Sequence, residues 1–278
     1  MPLIINTNVG SMNAQRSLTF NTNSLQKSME KLASGFRINK AGDDAAGLAL
    51  SENLRAQIRG SQKALDNTQD GINVLNISDG ALQTVTDNLQ RMRELAVQAA
   101  NDTYSATQRT SMQTEYDQLA SGITQIASAA EFNGINLLDG TSTLTNLQIG
   151  ANTTVGVDTF NVSTVFADSR AAALGVGAGS LANNANALTA ITALDTAINT
   201  VNTRRGIIGA SVNRLEATAS NLAISVENLS SSESRIRNVD VAMESANLSK
   251  YQILQQASQA MLAQANQAPQ LALQLLRG

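Results

Sequence analysis

A mainly α protein is predicted: a long antiparallel helical rod of the coiled-coil bundle kind, made from the N- and C-terminal halves, with a small β-hairpin region in the middle. Three observations predict it. Apolar residues keep four-three spacing through Ala187, Ile191, Leu194, Ile198, Val201, Ile208, Val212, Leu215, Ala219, Leu222, Val226 and Leu229, with Arg205 the one non-apolar position. A second stripe runs through Leu54, Ile58, Leu65, Ile72, Leu75, Leu82, Val85, Leu89, Met92, Ala96 and Ala99. Only 3% of residues are aromatic and none is Trp, so a thick core would have to be filled by Leu, Ile, Val and Ala, which suits thin helical rods.

Taken in order, the first helix carries Leu18, Leu25, Met29, Leu32 and Phe36 in heptad rhythm, with Thr22 as a polar interruption, and should stop near Ser34-Gly35. Phe36 to Ala41 reads as an extended linker. Gly42-Asp43-Asp44 then supplies an acidic side chain to cap free amides at a helix start. The long second helix contains Gly60, Gly71 and Gly80, each costing about 1 kcal/mol against Ala unless it permits close packing. Asn101-Asp102-Thr103 breaks it, and Met112, Tyr116, Leu119, Ile123, Ile126 and Ala130 form a shorter helix folding back. Asn133-Gly134 and Asp139-Gly140 are turn dipeptides, and Asn146 to Phe166 alternates partially, giving one or two hairpins. Gly175 to Gly179 reads as a flexible joint; it lacks the Lys and Ser/Thr of a phosphate loop. The helix from Ala187 would span roughly 63 Å to Leu229. Bending the chain at the β region lets the long helices pack together and brings the tails to one end. The expected divisions are 1–41, an inner-core helix and linker; 42–186, rod helices and hairpins; 187–240, a rod helix; and 241–278, an inner-core helix.

The two ends are unusual. Tyr251 to Leu276 contains no charged side chain, and the segment from Leu3 to Gln26 has Arg16 alone. Tyr251, Leu254, Ser258, Met261, Ala265 and Ala268 recur at helical spacing while Gln252, Gln255, Gln256, Gln259, Gln264, Asn266 and Gln267 occupy the other faces. A bilayer rejects that many amides, and a surface helix normally carries charge toward water. Burial among other protein surfaces fits both facts, because amides can satisfy one another there and unpaired charges cannot.

Composition excludes several functions. A net charge of −3 in 278 residues gives no electrostatic case for nucleic acid or an anionic membrane. Without Cys or His there are no disulfides, thiolate sites or paired-histidine metal motifs, and the commonest general base is missing. No metal, cofactor or catalytic residue is expected. Met-Pro-Leu-Ile-Ile-Asn lacks the basic and apolar regions of a secretory signal, so export would use another route.

The motifs resemble bacterial flagellin. Ser34-Gly35-Phe36-Arg37-Ile38-Asn39-Lys40-Ala41-Gly42-Asp43-Asp44-Ala45-Ala46-Gly47-Leu48-Ala49 is similar to the family's amino-terminal signature. Gln90-Arg91-Met92-Arg93-Glu94-Leu95-Ala96-Val97-Gln98, Phe132-Asn133-Gly134 and Leu262 to Gln270 are similar to further family blocks, so the resemblance covers about residues 1 to 140 and 187 to 277. The middle is far shorter than in members with large outer domains. The resemblance implies a structural subunit, exported unfolded through the flagellar secretion apparatus with an export chaperone, that polymerises into a secreted helical filament used for motility. Filament cap and junction proteins are further implied partners. Non-closing head-to-tail contacts give such open polymers, and tails too amide-rich to fold alone would order on assembly.

The residues expected to carry assembly are Leu18, Leu25, Met29, Leu32, Tyr251, Leu254, Met261, Leu275 and Leu276. Arg91, Leu95 and Glu115 match positions by which family members contact the flagellin-sensing Toll-like receptor, beside their ordinary packing roles. Leu271, Leu273, Leu275 and Leu276 form an apolar end suited to helix-in-groove recognition by a chaperone or a cytosolic immune receptor. Asp43, Asp44 and Glu52 fit a helix cap with a solvated first turn better than an acid/base set, since no partner converges on them. Rival functions are a hook-filament junction protein, a generic coiled-coil scaffold, which leaves the uncharged tails unexplained, and an enzyme, disfavoured by the missing His and the short middle.

Overall fold

Helix ends fall where side chains can satisfy the free amides and carbonyls of the terminal turns. The computed structural model describes residues 7–277, with side chains for residues 7–267. Helix α1 (Val9–Ser34) starts at Asn8, whose side chain accepts from the Ser11 amide, and stops at Gly35 in the left-handed conformation. Helix α2 (Ala45–Ala99) is capped by Asp44, whose Oδ1 accepts from the Gly47 amide at 2.8 Å. Helix α3 (Ala106–Ala129) opens on a capping box of Ser105 and Gln108. Two short antiparallel pairs follow, β1 (Glu131–Phe132) with β2 (Ile135–Asn136) and β3 (Asn146–Gln148) with β4 (Thr159–Asn161). The first turns through Asn133 and Gly134, both at positive φ, as a two-residue hairpin loop requires. Helices α4 (Asn184–Arg237) and α5 (Val241–Arg277) complete the chain, and Asp240 accepts from the Ala242 and Met243 amides at the start of α5.

The chain divides into two compact units, residues 57–228 and the pair 1–56 with 229–278. In the first, apolar side chains from α2, α3, α4 and the hairpins share one core, including Leu82, Leu89, Met92, Tyr116, Ile123, Leu194 and Val201, all at or near zero exposure. The α4 stripe is buried as its spacing predicts through Ala187, Leu194, Val201, Ile208 and Leu215. Arg205 stands on that stripe because Asp79 on α2 receives its Nε at 2.8 Å, leaving no unpaired charge.

The early part of α2 differs from the sequence expectation. Leu65 and Ile72 are half-buried, while Ser61, Ala64, Thr68, Gly71, Leu75 and Ser78 form the buried seam at three-four spacing. Small residues let a neighbouring backbone approach, and the Thr68 and Ser78 hydroxyls are satisfied by the Ala64 and Val74 carbonyls at 2.7 and 3.0 Å. At Gly71 a Cβ would press on Leu147 of β3.

The expected joint at Gly175–Gly179 is instead a pinned turn. Val176 is fully buried, Tyr116 donates its hydroxyl to the Val176 carbonyl at 3.1 Å, and Gln113 bridges the Gly179 carbonyl at 2.9 Å and the Leu181 amide at 2.6 Å. Burial pushes the Tyr116 phenol up to about 12. A Cβ on Gly179 would run into the phenol.

Two glycines should therefore respond oppositely to alanine. Gly80 is exposed, with open space where a Cβ would go, so Gly80→Ala should raise unfolding stability by about 0.5–1 kcal/mol. Gly179→Ala should lower it by about 1–3 kcal/mol through overpacking against Tyr116. Denaturant unfolding of both variants checks the pair.

Candidate functional site

In the unit formed by residues 1–56 and 229–278, α1 and α5 pack antiparallel along a seam that is mostly polar. The Asn8 amide donates to the Ala265 carbonyl at 2.8 Å and Ser11 to the Asn266 side chain at 2.7 Å. Further along, Asn21 donates to Ser258 at 2.9 Å, Gln255 to Thr22 at 3.2 Å, and Ser28 to the Glu244 carboxylate. Asn21, Leu25 and Ser28 are the buried residues of α1, and no described side chain of α5 is fully buried. A net hydrogen bond contributes about 0.5–1.5 kcal/mol and one buried Leu about 1.5–3 kcal/mol, so this pair holds a thin margin against the entropy of ordering its residues.

The structure sorts the residues expected from sequence. Leu25 is buried at 9% exposure, and Leu18, Leu32 and Tyr251 are half-buried. Met29, Leu254 and Met261 are exposed, Met261 at 65%. On α5 the residues that turn inward are Tyr251, Gln255, Ser258, Leu262 and Ala265, a four-three series, so Leu254 and Met261 stand off the face on which the sequence groups them with Tyr251. The reason is that the seam selects hydrogen-bonding and small side chains, and apolar spacing alone does not find it. The side chains of Leu271, Leu273, Leu275 and Leu276 lie outside the described residues. Residues that sequence reasoning missed are Val9, Met12, Phe20, Val241, Met243 and Ile253, all more than half exposed, Phe20 at 67%. Their signal was large apolar side chains standing off the heptad positions, except Met243, which continues the seven-residue spacing from Leu229 through Ile236. The outer faces of α1 and α5 thus carry apolar surface that no other part of the described chain covers.

Between α1 and α2 the expected extended linker is strapped down. Phe36 bridges Asn238 in antiparallel fashion, with the Arg37 amide on the Arg237 carbonyl at 2.7 Å and the Val239 amide on the Gly35 carbonyl at 3.0 Å. Arg237 stacks over the Phe36 ring at 4.7 Å and reaches Glu52 Oε1 at 2.7 Å. Lys40 pairs with Glu30 at 2.8 Å, and Ile38 is buried at 2% exposure. Asp43 accepts from the Lys40 and Asn39 amides, at 3.1 and 3.2 Å, and the Lys40 bond in particular holds its pKa below the ordinary value. The carboxylates of this segment are thus engaged in caps and ion pairs. Among the described residues no cluster of acidic side chains could hold a metal ion, and no helix is long and apolar enough to cross a membrane.

In the other unit Arg91 and Glu115 are exposed and paired at 2.8 Å, with Glu94 also on Arg91 at 2.9 Å. Leu95 lies beneath them in the core at 2% exposure. The arrangement presents a charge pair between α2 and α3.

Comparison with known proteins matches the N- and C-terminal helical parts of the chain, each of which contributes to both units. Residues 5–143 match the bacterial flagellin N-terminal helical region, and residues 191–276 match the bacterial flagellin C-terminal helical region. A flagellin of Halalkalibacterium halodurans is 47% identical over 275 residues, covering 99% of this chain and 100% of that one. A flagellar filament 33 kDa core protein of Treponema phagedenis is 47% identical over 290 residues, again covering 99% and 100%. The crystal structure of Bacillus cereus flagellin is 37% identical, with a TM-score of 0.49 over 56% of this chain and 88% of that one.

The ion pair at the strap makes a pH prediction. Hydrogen bonding from Arg237, then Arg55, lowers the Glu52 pKa from its ordinary value of 4.5. A depressed folded pKa means that the contribution is present above pH 4.5 and is lost as pH falls through the lower folded value. Glu52→Gln should therefore melt below the parent protein at neutral pH, and the gap should close in acid, as followed by circular dichroism.

Proposed function

This chain belongs to the bacterial flagellin family, and from that premise we propose that it is a structural subunit polymerising through the outer faces of α1 and α5 into the flagellar filament used for motility. The observation that supports this most is the exposure of Met12, Phe20, Met29, Ile253, Leu254 and Met261 on a helix pair whose inner seam is already closed by hydrogen bonds. Exposed apolar surface of that kind finds its gain in contacts with other copies, and a non-closing repeat of one contact gives a helical polymer. Leu18, Leu25, Leu32 and Tyr251 shape the pair, Met29, Leu254 and Met261 meet neighbours, and Leu275 and Leu276, whose side chains lie outside the described residues, are assigned to assembly as well. Residues 1–41 and 241–278 form the inner core of the filament, and 42–186 with 187–240 its outer helical layer.

No catalytic step is assigned to the chain; its family is structural. Its partners are other copies of itself, the export chaperone and secretion apparatus before assembly, and cap and junction proteins at the filament's ends. Arg91 and Glu115 form the contact for the flagellin-sensing Toll-like receptor, with Leu95 supporting them from below. Loss of receptor activation by monomeric Arg91→Ala/Glu115→Ala protein is expected, and unchanged activation would remove this assignment.

For assembly, Leu254→Lys or Met261→Lys should abolish filament growth from purified, seeded protein in electron micrographs, because each copy would bury an unpaired charge. The melting of unit 57–228 should stay within about 2 °C of the parent protein, since neither position contributes to its core. Normal filaments from either variant would refute the surface, and absence of growth from the unmutated protein would favour a junction protein.

A further inference from the structure

The methionines divide by unit. Met92 and Met112 are buried in the core of residues 57–228, at 0% and 9% exposure. Met12, Met29, Met243 and Met261 lie on α1 and α5 with 56%, 46%, 66% and 65% exposure, and Met1 is outside the described residues. The antiparallel register groups the exposed four. Asn8 bonded to Ala265 and Ser11 bonded to Asn266 set Met12 and Met261 toward one end of the pair, and Ser28 bonded to Glu244 sets Met29 and Met243 toward the other.

A solvent-reachable thioether is open to two-electron oxidation. Sulfur donates an electron pair to one oxygen of a hydroperoxide, the O–O bond breaks, an S–O bond forms, and the remaining oxygen leaves as water or an alcohol after proton transfer. The product sulfoxide is polar and a strong acceptor, and it is reversible by a reductase. The other large apolar side chains exposed on these helices, Val9, Phe20, Val241, Ile253 and Leu254, offer no donor to such an oxygen.

We propose that Met12, Met29, Met243 and Met261 are modification sites at which hydroperoxides convert an assembly-competent subunit into one that cannot join a filament. This rests on the assembly surface argued above. Free subunits are the sensitive form, because assembly covers the same side chains, so oxidation stops new growth and spares filament already built. Met92 and Met112, inside the core, stay reduced while the subunit is folded.

Purified monomer treated with hydrogen peroxide should show sulfoxide at Met12, Met29, Met243 and Met261 well before Met92 or Met112 by peptide mass spectrometry. Its critical concentration for seeded polymerisation should rise about tenfold or more, the change expected for one unpaired buried polar group. Methionine sulfoxide reductase should restore growth, and Met12→Leu/Met29→Leu/Met243→Leu/Met261→Leu protein should polymerise equally with and without peroxide. Undiminished growth of oxidised protein, failure of the reductase to restore it, or equal loss in the leucine variant would overturn the proposal. Should the leucine variant itself fail to assemble, the reductase arm on the parent protein decides. Failure of untreated parent protein to polymerise would overturn the assembly reading and this inference together, an outcome distinct from all the others.

Discussion

The α1–α5 seam is stitched by amides and hydroxyls, and the rest of the molecule's behaviour depends on that choice. Asn21 on Ser258, Gln255 on Thr22 and Asn8 on the Ala265 carbonyl fix the register of the pair while burying Leu25 as the one buried apolar residue of α1. Hydrogen bonds that replace bonds to water add little net stability, so a pair held this way has a definite geometry and a small margin. Its large apolar side chains are left pointing outward. Specificity and stickiness are thus separated: polar contacts select how the two helices meet, and the large apolar side chains stay exposed.

Residues 57–228 follow the opposite rule. Their core closes on itself, with Leu, Val, Ile and Ala from three helices and the hairpins, and the charge on the seam, Arg205, has a dedicated partner in Asp79. Arg204 donates to the Asp168 carbonyl and the Ser169 hydroxyl, both at 2.6 Å, which ties the segment after β4 to α4. A subunit that must exist alone before it polymerises needs one part that folds without help. The uncharged ends then lose nothing by waiting, and the strap of Phe36, Arg237 and Glu52 gives the start of α2 a fixed path beside them.

Much of this was legible in the chain. The α4 stripe, the stop at Gly35, the cap at Asp44 and the Asn133–Gly134 hairpin are local signals, each set by a few neighbouring residues, and local signals survive folding. What was not legible depends on distant partners. Ser61, Thr68 and Ser78 do not look like core until their hydroxyls are bonded one turn back and a neighbour is close, and Gly175–Gly179 looks loose until Tyr116 and Gln113 hold it. In the candidate site the scarcity of charge in residues 3–26 and 251–276 was plain, but which face turned inward was not. In a helix of Gln, Ala and Ser, hydrogen-bond geometry decides the face, and that is why Leu254 and Met261 point away from α1 while Leu262 and Ala265 turn toward it.

If α1 and α5 are a weakly self-sufficient pair completed by neighbouring subunits, as proposed, their protection must change on assembly. Amide hydrogen exchange on monomer and on filament tests it most directly. α1 and α5 should exchange at least about tenfold faster than the Leu82–Ala99 part of α2 in monomer, and assembly should remove most of this difference while the α2–α4 core changes little. Equal protection of all helices in monomer, or no gain in α1 and α5 on polymerisation, would contradict it.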